Sequence, residues 1–335
     1  MAINLMNLTP HKVSTDLSGY ITYVYGAPKT GKTTLAVQAP GALLLAFERG
    51  YNAIPGIMAQ DILSWGEFKQ VLRELKKQEV KDTFKTIIVD TVDIAAAMCE
   101  KYICNQLGIE NIGDGGWSTN GWAKVKKEFE ECMRTITQLG YALFFISHAK
   151  EKMFKRPDGT EYTQITTSLS TAYNSIVENM ADIIGYAHQE TNENGKTVRL
   201  TLRCQDNTIN AGCRFKYIEP EIDFNYDALV KALNDAIEKE ASINGKKLVT
   251  EERAEVRQEE NLDFDELVVK FNTLVQGLIS NNSEEEFNSY WSPRIVQITE
   301  QYLGKGKKVS QATRDQVEMI NLINIALEDL INEKK

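Results

Sequence analysis

One short stretch near the start of this chain constrains its fold more than any other. Residues 26–33 read Gly-Ala-Pro-Lys-Thr-Gly-Lys-Thr and fit G-x-x-x-x-G-K-[ST], the pattern of a phosphate-binding loop. The β-branched and aromatic residues 20–25 before it predict a strand, and residues 34–39 after it predict a short helix that stops at Pro40. A strand, a glycine loop and a helix N-terminus in this order form an anion site, because backbone N–H groups face the phosphates.

The pattern also predicts what individual residues of the loop do. The lysine of such a loop reaches the β- and γ-phosphates, and the hydroxyl residue after it ligates Mg²⁺; these positions are held by Lys32 and Thr33. The predicted phosphate-binding residues are Gly26, Ala27, Pro28, Lys29, Thr30, Gly31, Lys32, Thr33 and Thr34. A chance turn containing Gly and Lys is the alternative, and the flanking strand and helix argue against it.

Composition narrows the class of protein and its surroundings. Of 335 residues, 42% are hydrophobic and 25% are charged, which is ordinary for a globular chain of about two domains. The chain has neither a long apolar run nor a signal peptide, so we expect a cytoplasmic protein without membrane contact. Five cysteines without a C-x-x-C pair and three scattered histidines predict thiols rather than disulfides or a zinc site. A net charge of −9 means that any nucleic-acid site must be a local basic patch.

Strand and helix patterns alternate along most of the chain. Short continuous apolar runs are typical of buried parallel strands, and they occur at residues 42–47, 86–90, 142–147 and 183–187. Helical patterns lie between them at residues 68–79, 92–106 and 122–139. Residues 197–203 then alternate with period two after the turn signal Asn194-Gly195, and residues 227–239 predict a closing helix. We therefore predict an α/β fold with a mostly parallel sheet and an antiparallel extension.

The pattern changes again towards the C-terminus. We predict a core over residues 1–240, a charged linker over 241–262 and a small helical module over 263–335. Apolar residues from Phe264 to Leu278 recur at helical spacing. Ser283 with Glu286 predicts the start of a second helix that breaks near Pro293, and Thr313 with Gln316 predicts a third helix that runs to about residue 331.

Polar residues end three of the predicted strands, at the edge where ligands bind in open α/β sheets. Glu48 could orient an attacking water as general base, or it could be a surface acid paired with Arg49. Asp90 could complete a Mg²⁺ site with Thr33, or it could cap a helix. His148 could sense the γ-phosphate, although a lone histidine is more often structural.

Two polar segments are candidates for contact with nucleic acid. Residues 111–121 are rich in glycine and contain Trp117. Residues 149–159 combine Phe154 with four cations, namely Lys150, Lys152, Lys155 and Arg156. Cations together with an aromatic ring suit a single nucleic-acid strand, through phosphate contacts and base stacking. Two solvated, flexible surface loops are the alternative.

The order of these features resembles the RecA-type recombinase core, most closely the bacteriophage RecA-like ATP-binding proteins linked to single-strand annealing and recombination. The resemblance covers roughly residues 18–220 and implies that Glu48 is catalytic and that Asp90, followed by a small hydroxyl residue, holds the metal. It implies that His148, where RecA has a glutamine, couples the γ-phosphate to DNA-binding loops at residues 111–121 and 149–170. In that family a basic residue near the C-terminal end of the core reaches the nucleotide of the neighbouring subunit. The candidates here are Arg214 and Lys216.

What the resemblance implies is a RecA-like P-loop NTPase core with ATP and Mg²⁺ as cofactors. The expected activity is hydrolysis of ATP to ADP and phosphate, stimulated by single-stranded DNA, with Lys32, Glu48 and His148 as catalytic residues. Expected partners are single-stranded DNA, further copies of the chain in a ring or filament, and a single-strand-binding or other replication protein at the C-terminal module. The alternatives are a nucleotide-gated annealing scaffold without hydrolysis, a helicase on the same core, and a regulatory ATPase.

Overall fold

The computed structural model describes residues 10–114, 116, 120–192, 195–244, 249–253 and 262–334. These residues fall into two compact units, a larger one up to residue 253 and a smaller one from residue 262. The strands of the larger unit are β1 (Val13–Ser14), β2 (Ile21–Gly26), β3 (Ala42–Ala46), β4 (Ala59–Asp61), β5 (Thr86–Asp90), β6 (Ala142–Lys155), β7 (Glu161–Thr167), β8 (Ile183–Asn192), β9 (Gly195–Thr201), β10 (Gly212–Cys213), β11 (Glu221–Asp223) and β12 (Val249–Thr250).

Helices connect these strands. The helices of the larger unit are α1 (Lys32–Ala36), α2 (Trp65–Glu74), α3 (Gln78–Thr83), α4 (Val92–Leu107), α5 (Gly121–Gln138), α6 (Thr171–Met180) and α7 (Tyr226–Asn244). The predicted helix over 68–79 is thus two helices, the first of which begins after the cap Ser64. Within the described ranges, no helix is long and apolar enough to cross a membrane.

One large sheet organises the larger unit. Its main path is β11-β9-β8-β2-β6-β5-β3-β4. The strands from β8 to β4 pair in parallel, whereas β9, β10 and β11 pair antiparallel. The predicted mixed α/β fold with a mostly parallel sheet is confirmed. Strand β2, which leads into the phosphate loop, lies between β6 and β8.

Apolar clusters cover both faces of the sheet. Tyr23 belongs to the cluster on one face, which also contains Trp65 and Phe129, while its neighbour Val24 belongs to the cluster on the other face, which contains Leu35 and Leu233. Successive residues of a strand point to opposite faces, so a strand buried on both sides needs an unbroken apolar run. This explains why the central strands could be recognised from the sequence.

The structure corrects the prediction of a flexible loop over residues 149–159. Strand β6 continues beyond His148 to Lys155 and pairs antiparallel with β7, from Ala149 opposite Thr167 to Lys155 opposite Glu161. The turn between them contains Gly159 in the left-handed region at φ +88°, a conformation that suits glycine. The segment assigned to a DNA-binding loop, residues 149–170, is therefore mainly a β-hairpin.

The boundary of the larger unit also differs from the prediction. Helix α7 continues past residue 240 to Asn244, and β12 pairs in parallel with β1. The Arg253 guanidinium then donates a hydrogen bond through Nε to the carbonyl oxygen of Ser18, at 3.0 Å. Residues 241–244 and 249–253 of the predicted charged linker therefore belong to the larger unit.

The smaller unit is helical. Its elements are α8 (Phe264–Asn281), α9 (Glu284–Glu286), a π-helical turn (Phe287–Trp291), α10 (Ser292–Leu303) and α11 (Val317–Lys334). Ser283 accepts a hydrogen bond from the backbone N–H of Glu286, as its capping pattern predicts. The predicted break near Pro293 is confirmed: the π-helical turn separates α9 from α10, and Pro293 lies in the first turn of α10, where a missing N–H is tolerated.

Candidate nucleotide site

The carboxyl ends of neighbouring parallel strands bring the predicted site residues together. Gly26 of β2 pairs with His148 of β6, and Ala46 of β3 pairs with Asp90 of β5. The backbone N–H groups of Phe47 and Glu48 both donate to the carbonyl oxygen of Asp90, at 2.8 and 3.1 Å. These contacts place Glu48, Asp90 and His148 on the sheet edge from which the phosphate loop leaves β2.

Close backbone packing shapes the start of the phosphate loop. A Cβ atom on Gly26 would lie 2.4 Å from the carbonyl oxygen of Ala187 in β8, so only glycine fits there without a shift. At the other end of the loop, Gly31 has a left-handed φ of +88° just before α1. The glycines of the motif are therefore required by a close approach at Gly26 and by backbone conformation at Gly31.

Lys32 lies folded over this loop. Its Nζ donates hydrogen bonds to the carbonyl oxygens of Gly26 and Ala27, at 3.0 and 2.8 Å, and the residue is 5% exposed. Burial lowers the pKa of Lys32, and the carboxylates of Asp90, Glu48 and Asp93 oppose that shift. An ammonium group held at the loop with acids around it fits a site for phosphate and a divalent cation.

Thr33 and Asp90 form a direct pair beside Lys32. The Thr33 hydroxyl donates to Oδ2 of Asp90 at 2.6 Å. Burial raises the pKa of Asp90, and the hydrogen bond from Thr33 counteracts this. Thr91, rather than Asp90, takes the N-cap position of α4, so the helix-cap alternative is wrong. Hydroxyl and carboxylate oxygens are ligands that Mg²⁺ accepts, so this pair fits the predicted metal.

Glu48 and His148 face each other across the site. The His148 Nε2 lies 3.5 Å from Oε2 of Glu48, and the Glu48 side chain is 45% exposed. Arg49, the alternative partner of Glu48, lies instead 3.7 Å from the Asp61 carboxylate. The Glu48 carboxylate is therefore accessible to water and lies beside both Asp90 and His148.

Two residues that the sequence did not reveal connect this site with the hairpin. The carbonyl oxygen of His148 accepts a hydrogen bond from the backbone N–H of Ser168, at 2.7 Å. The Ser168 hydroxyl donates to Oδ1 of Asp93 at 2.5 Å, and Lys150 Nζ donates to the carbonyl oxygen of Ser168 at 2.9 Å. Asp93 follows Asp90 by three residues, in the first turn of α4, and that spacing was the only signal in the sequence.

Cations and aromatic rings share one face of the hairpin. Phe154 stacks on Tyr162 with ring centroids 5.7 Å apart. Lys152 Nζ lies 5.1 Å from the Phe154 ring centroid, and Arg156 Cζ lies 4.8 Å from that of Tyr162. Sequence reasoning missed Tyr162, which only the strand pairing places opposite Phe154.

The other predicted DNA contacts do not all lie on this face. Lys150 shares the face of Lys152 and Phe154 because alternate residues of a strand share a face, and Lys155 lies on the opposite face. Trp117 lies outside the described residues. The structure thus brings together part of the predicted set and adds Tyr162 to it.

Arg214, a candidate for action in trans, is held within its own subunit. Its guanidinium lies 3.1 Å from Oδ1 of Asp182, and Oδ2 of Asp182 accepts from the backbone N–H of Ile21 at 2.8 Å. Both Ile21 and Asp182 lie where β2 and β8 begin, at the sheet edge opposite to the phosphate loop. The second candidate, Lys216, has its Nζ 5.2 Å from the Tyr217 ring centroid.

Comparison with known proteins places this site in a family. The sequence profile of the AAA domain family matches residues 18–215, which include the loop, Glu48, Asp90 and His148. The chain belongs to the AAA domain family. As an AAA domain protein it is a P-loop ATPase. This is a broader class than the predicted RecA-like recombinases, and the match does not identify that subclass. It is also 30% identical over 342 residues to the SPbeta prophage-derived uncharacterized protein YorG of Bacillus subtilis (strain 168), covering 99% of this chain and 100% of that protein.

The close packing at Gly26 of this AAA domain leads to a stability prediction. We expect Gly26→Ala to lower the free energy of unfolding by about 1–3 kcal/mol, because the new methyl group meets a backbone oxygen that cannot rotate away. Thermal unfolding measures the change. Gly212→Ala is the matched control, since a Cβ there meets no atom within 4 Å. Equal unfolding temperatures of the two variants would contradict the packing argument.

Proposed function

We propose that this protein is a Mg²⁺-dependent ATPase that binds single-stranded DNA on its β6–β7 hairpin and acts in phage DNA recombination or annealing. The observation that carries the proposal is the path of contacts from the candidate catalytic acid to the hairpin. Glu48 lies against His148, and His148 is hydrogen bonded through its carbonyl oxygen to Ser168 at the end of the hairpin. A nucleotide-dependent change at Glu48 would reach the DNA-binding face through these residues.

The chemistry assigned to the site is hydrolysis of ATP to ADP and phosphate. Lys32 would bind the β- and γ-phosphates, and Thr33 and Asp90 would hold Mg²⁺, which would neutralise charge on the phosphates. Glu48 takes a proton from the attacking water while the oxygen of that water bonds to the γ-phosphorus. The bond from that phosphorus to the bridging oxygen breaks, and ADP leaves with the electron pair. His148, adjacent to Glu48, responds to loss of the γ-phosphate.

The hairpin supplies the chemistry of a single-strand site. Lys152 and Arg156 lie next to the stacked rings of Phe154 and Tyr162, so phosphate contacts and base stacking are available on the same face. The protein carries a net charge of −9, so a local patch of this kind is what its electrostatics allow. The matching prophage-derived relative, aligned over its whole length, supports a phage setting.

The proposed function includes assembly with further copies of this chain and with another protein. The protein acts as a ring or filament in which Arg214 or Lys216 of one copy reaches the nucleotide of the next. Both residues are exposed in the subunit, which supports a role at its surface, although Arg214 would have to leave Asp182. The C-terminal helical unit is the proposed attachment point for a single-strand-binding or other replication protein.

Measuring single-stranded DNA affinity in different nucleotide states tests the proposed function. The probe is a fluorescein-labelled oligothymidylate, titrated with the full chain in the presence of Mg²⁺ and ATP, ADP or no nucleotide. We expect ATP to tighten binding by about 5-fold to 150-fold relative to no nucleotide, the usual range of coupling between two sites. Equal affinity in all three states would contradict the coupling. Equal annealing with ATP and with a non-hydrolysable analogue would favour the scaffold alternative.

The aromatic pair on the hairpin gives a sharper prediction. Phe154→Ala is expected to weaken oligothymidylate binding by about 5-fold to 150-fold, because it removes a stacking surface for a base. Met153→Ala is the matched control, since Met153 lies on the opposite face of the same strand and is 65% exposed. If both variants bind DNA like the wild type, the hairpin face is not the DNA site.

A further inference from the structure

Phe224 lies against the phosphate loop, although it is far from the loop in sequence. A Cβ atom built on Gly31 would lie 3.6 Å from Cε1 of Phe224. Gly31 directly precedes Lys32, so the edge of this ring adjoins the backbone that is predicted to bind phosphates. Neither the phosphate-loop motif nor the contacts to the hairpin assign Phe224 a role.

Hydrogen bonds on both sides hold Phe224 in this position. It lies between β11 and α7, and the backbone N–H of Asn225 donates to the carbonyl oxygen of Asp223 at 2.9 Å. The backbone N–H of Tyr226 donates to Oε1 of Gln38, at 3.1 Å, just beyond the loop's own helix. The segment that carries Phe224 is therefore tied directly to the segment that follows the phosphate loop.

Phe224 is more exposed to solvent than the core residues near it in sequence. Ile222 and Leu229 on either side are 5% and 0% exposed, as expected of residues that only fill the core. Phe224 is only partly buried, so the residue remains partly accessible to solvent. An aromatic residue that is partly accessible and close to the phosphate loop is suited to stack on a ligand.

We infer that Phe224 forms one wall of the site for the base of the bound nucleotide, and that stacking on it favours purine over pyrimidine nucleotides. The inference rests on the proposed nucleotide binding and adds to it the recognition of the base. When the phosphates bind the loop, the sugar and base must extend along one of its flanks. Phe224 supplies an aromatic surface on the flank beside Gly31, and a purine has the larger ring to stack on it.

The experiment compares three ligands in the full-length protein with Mg²⁺. Dissociation constants for ATP, CTP and inorganic tripolyphosphate are measured by displacement of a fluorescent ATP analogue. Phe224→Leu keeps an apolar side chain and removes the ring, so we expect roughly tenfold weaker ATP binding and a smaller preference for ATP over CTP. Tripolyphosphate lacks a base, and its affinity should not change.

A second variant keeps the test decisive if the leucine variant folds poorly. Phe224→Trp should bind ATP like the wild type, and ATP should change its tryptophan fluorescence more than tripolyphosphate does. The inference would be overturned if Phe224→Leu kept the wild-type ATP affinity and preference for ATP over CTP. It would also be overturned if this variant lost affinity for ATP and for tripolyphosphate equally. Lys32→Ala separates this failure from failure of the proposed site, because it should weaken binding of all three ligands.

Discussion

Lys32→Ala is expected to abolish ATP hydrolysis and to weaken Mg²⁺–ATP binding by about 100-fold, the upper range for loss of a charge-assisted hydrogen bond. In the structure the Lys32 ammonium is buried at the loop and hydrogen bonds to the carbonyl oxygens of Gly26 and Ala27. Phosphate oxygens would bind the same donor group. Alanine leaves the loop backbone in place and removes the positive charge of the lysine, so we expect the variant to lose more nucleotide affinity than folding stability.

Thermal unfolding with and without nucleotide distinguishes these effects. A ligand that binds the folded state raises the unfolding temperature, so Mg²⁺–ATP should stabilise the wild type. The Lys32→Ala protein should unfold cooperatively and show little or no shift on addition of Mg²⁺–ATP. A wild-type shift in this variant would mean that the phosphate loop is not where the nucleotide binds.

Glu48→Gln is expected to lower the rate of ATP hydrolysis by about 100-fold or more, the usual contribution of a general base. Glutamine has nearly the same shape as glutamate but cannot accept the proton from water at neutral pH. ATP affinity should remain close to the wild-type value, because Lys32, Thr33 and Asp90 still hold the phosphates and the metal. Single-turnover release of phosphate measures the rate, and displacement of a fluorescent analogue measures the affinity.

Arg49→Gln is the control for the neighbouring position. The Arg49 guanidinium lies 3.7 Å from the Asp61 carboxylate and contacts neither Asp90 nor His148 among the described residues, so this variant should hydrolyse ATP like the wild type. If Glu48→Gln retains wild-type hydrolysis, the base is another group. If Glu48→Gln also loses ATP binding, Glu48 helps to form the nucleotide site and is not shown to act as the base.

The central sheet, and the edge at which the candidate site residues meet, could be predicted from the sequence for a definite physical reason. A strand with both faces buried must be apolar at every position, as Tyr23 and Val24 show by packing on opposite sides. Once parallel strands were recognised, residues that follow them had to meet at one edge. Asp90 and His148 do meet there, and the partly exposed Glu48 carboxylate lies 3.5 Å from His148.

What escaped prediction depends on contacts between distant segments. The hairpin sequence alternates cations with other residues and resembles a solvated loop until Phe154 is paired with Tyr162. Ser168 has no motif, and its importance comes from hydrogen bonds with His148 and Asp93. Phe224 lies close to the loop only because the fold brings the residue after β11 near Gly31, which no local pattern records.

The central claim is that nucleotide chemistry and single-stranded DNA binding are coupled in this protein. The most direct measurement is the steady-state rate of ATP hydrolysis with and without saturating oligothymidylate, in the wild type and in Phe154→Ala at the same DNA concentration. We expect DNA to raise the wild-type rate of ATP hydrolysis and to raise the rate of the variant much less. An ATP hydrolysis rate that is the same with and without DNA would contradict it.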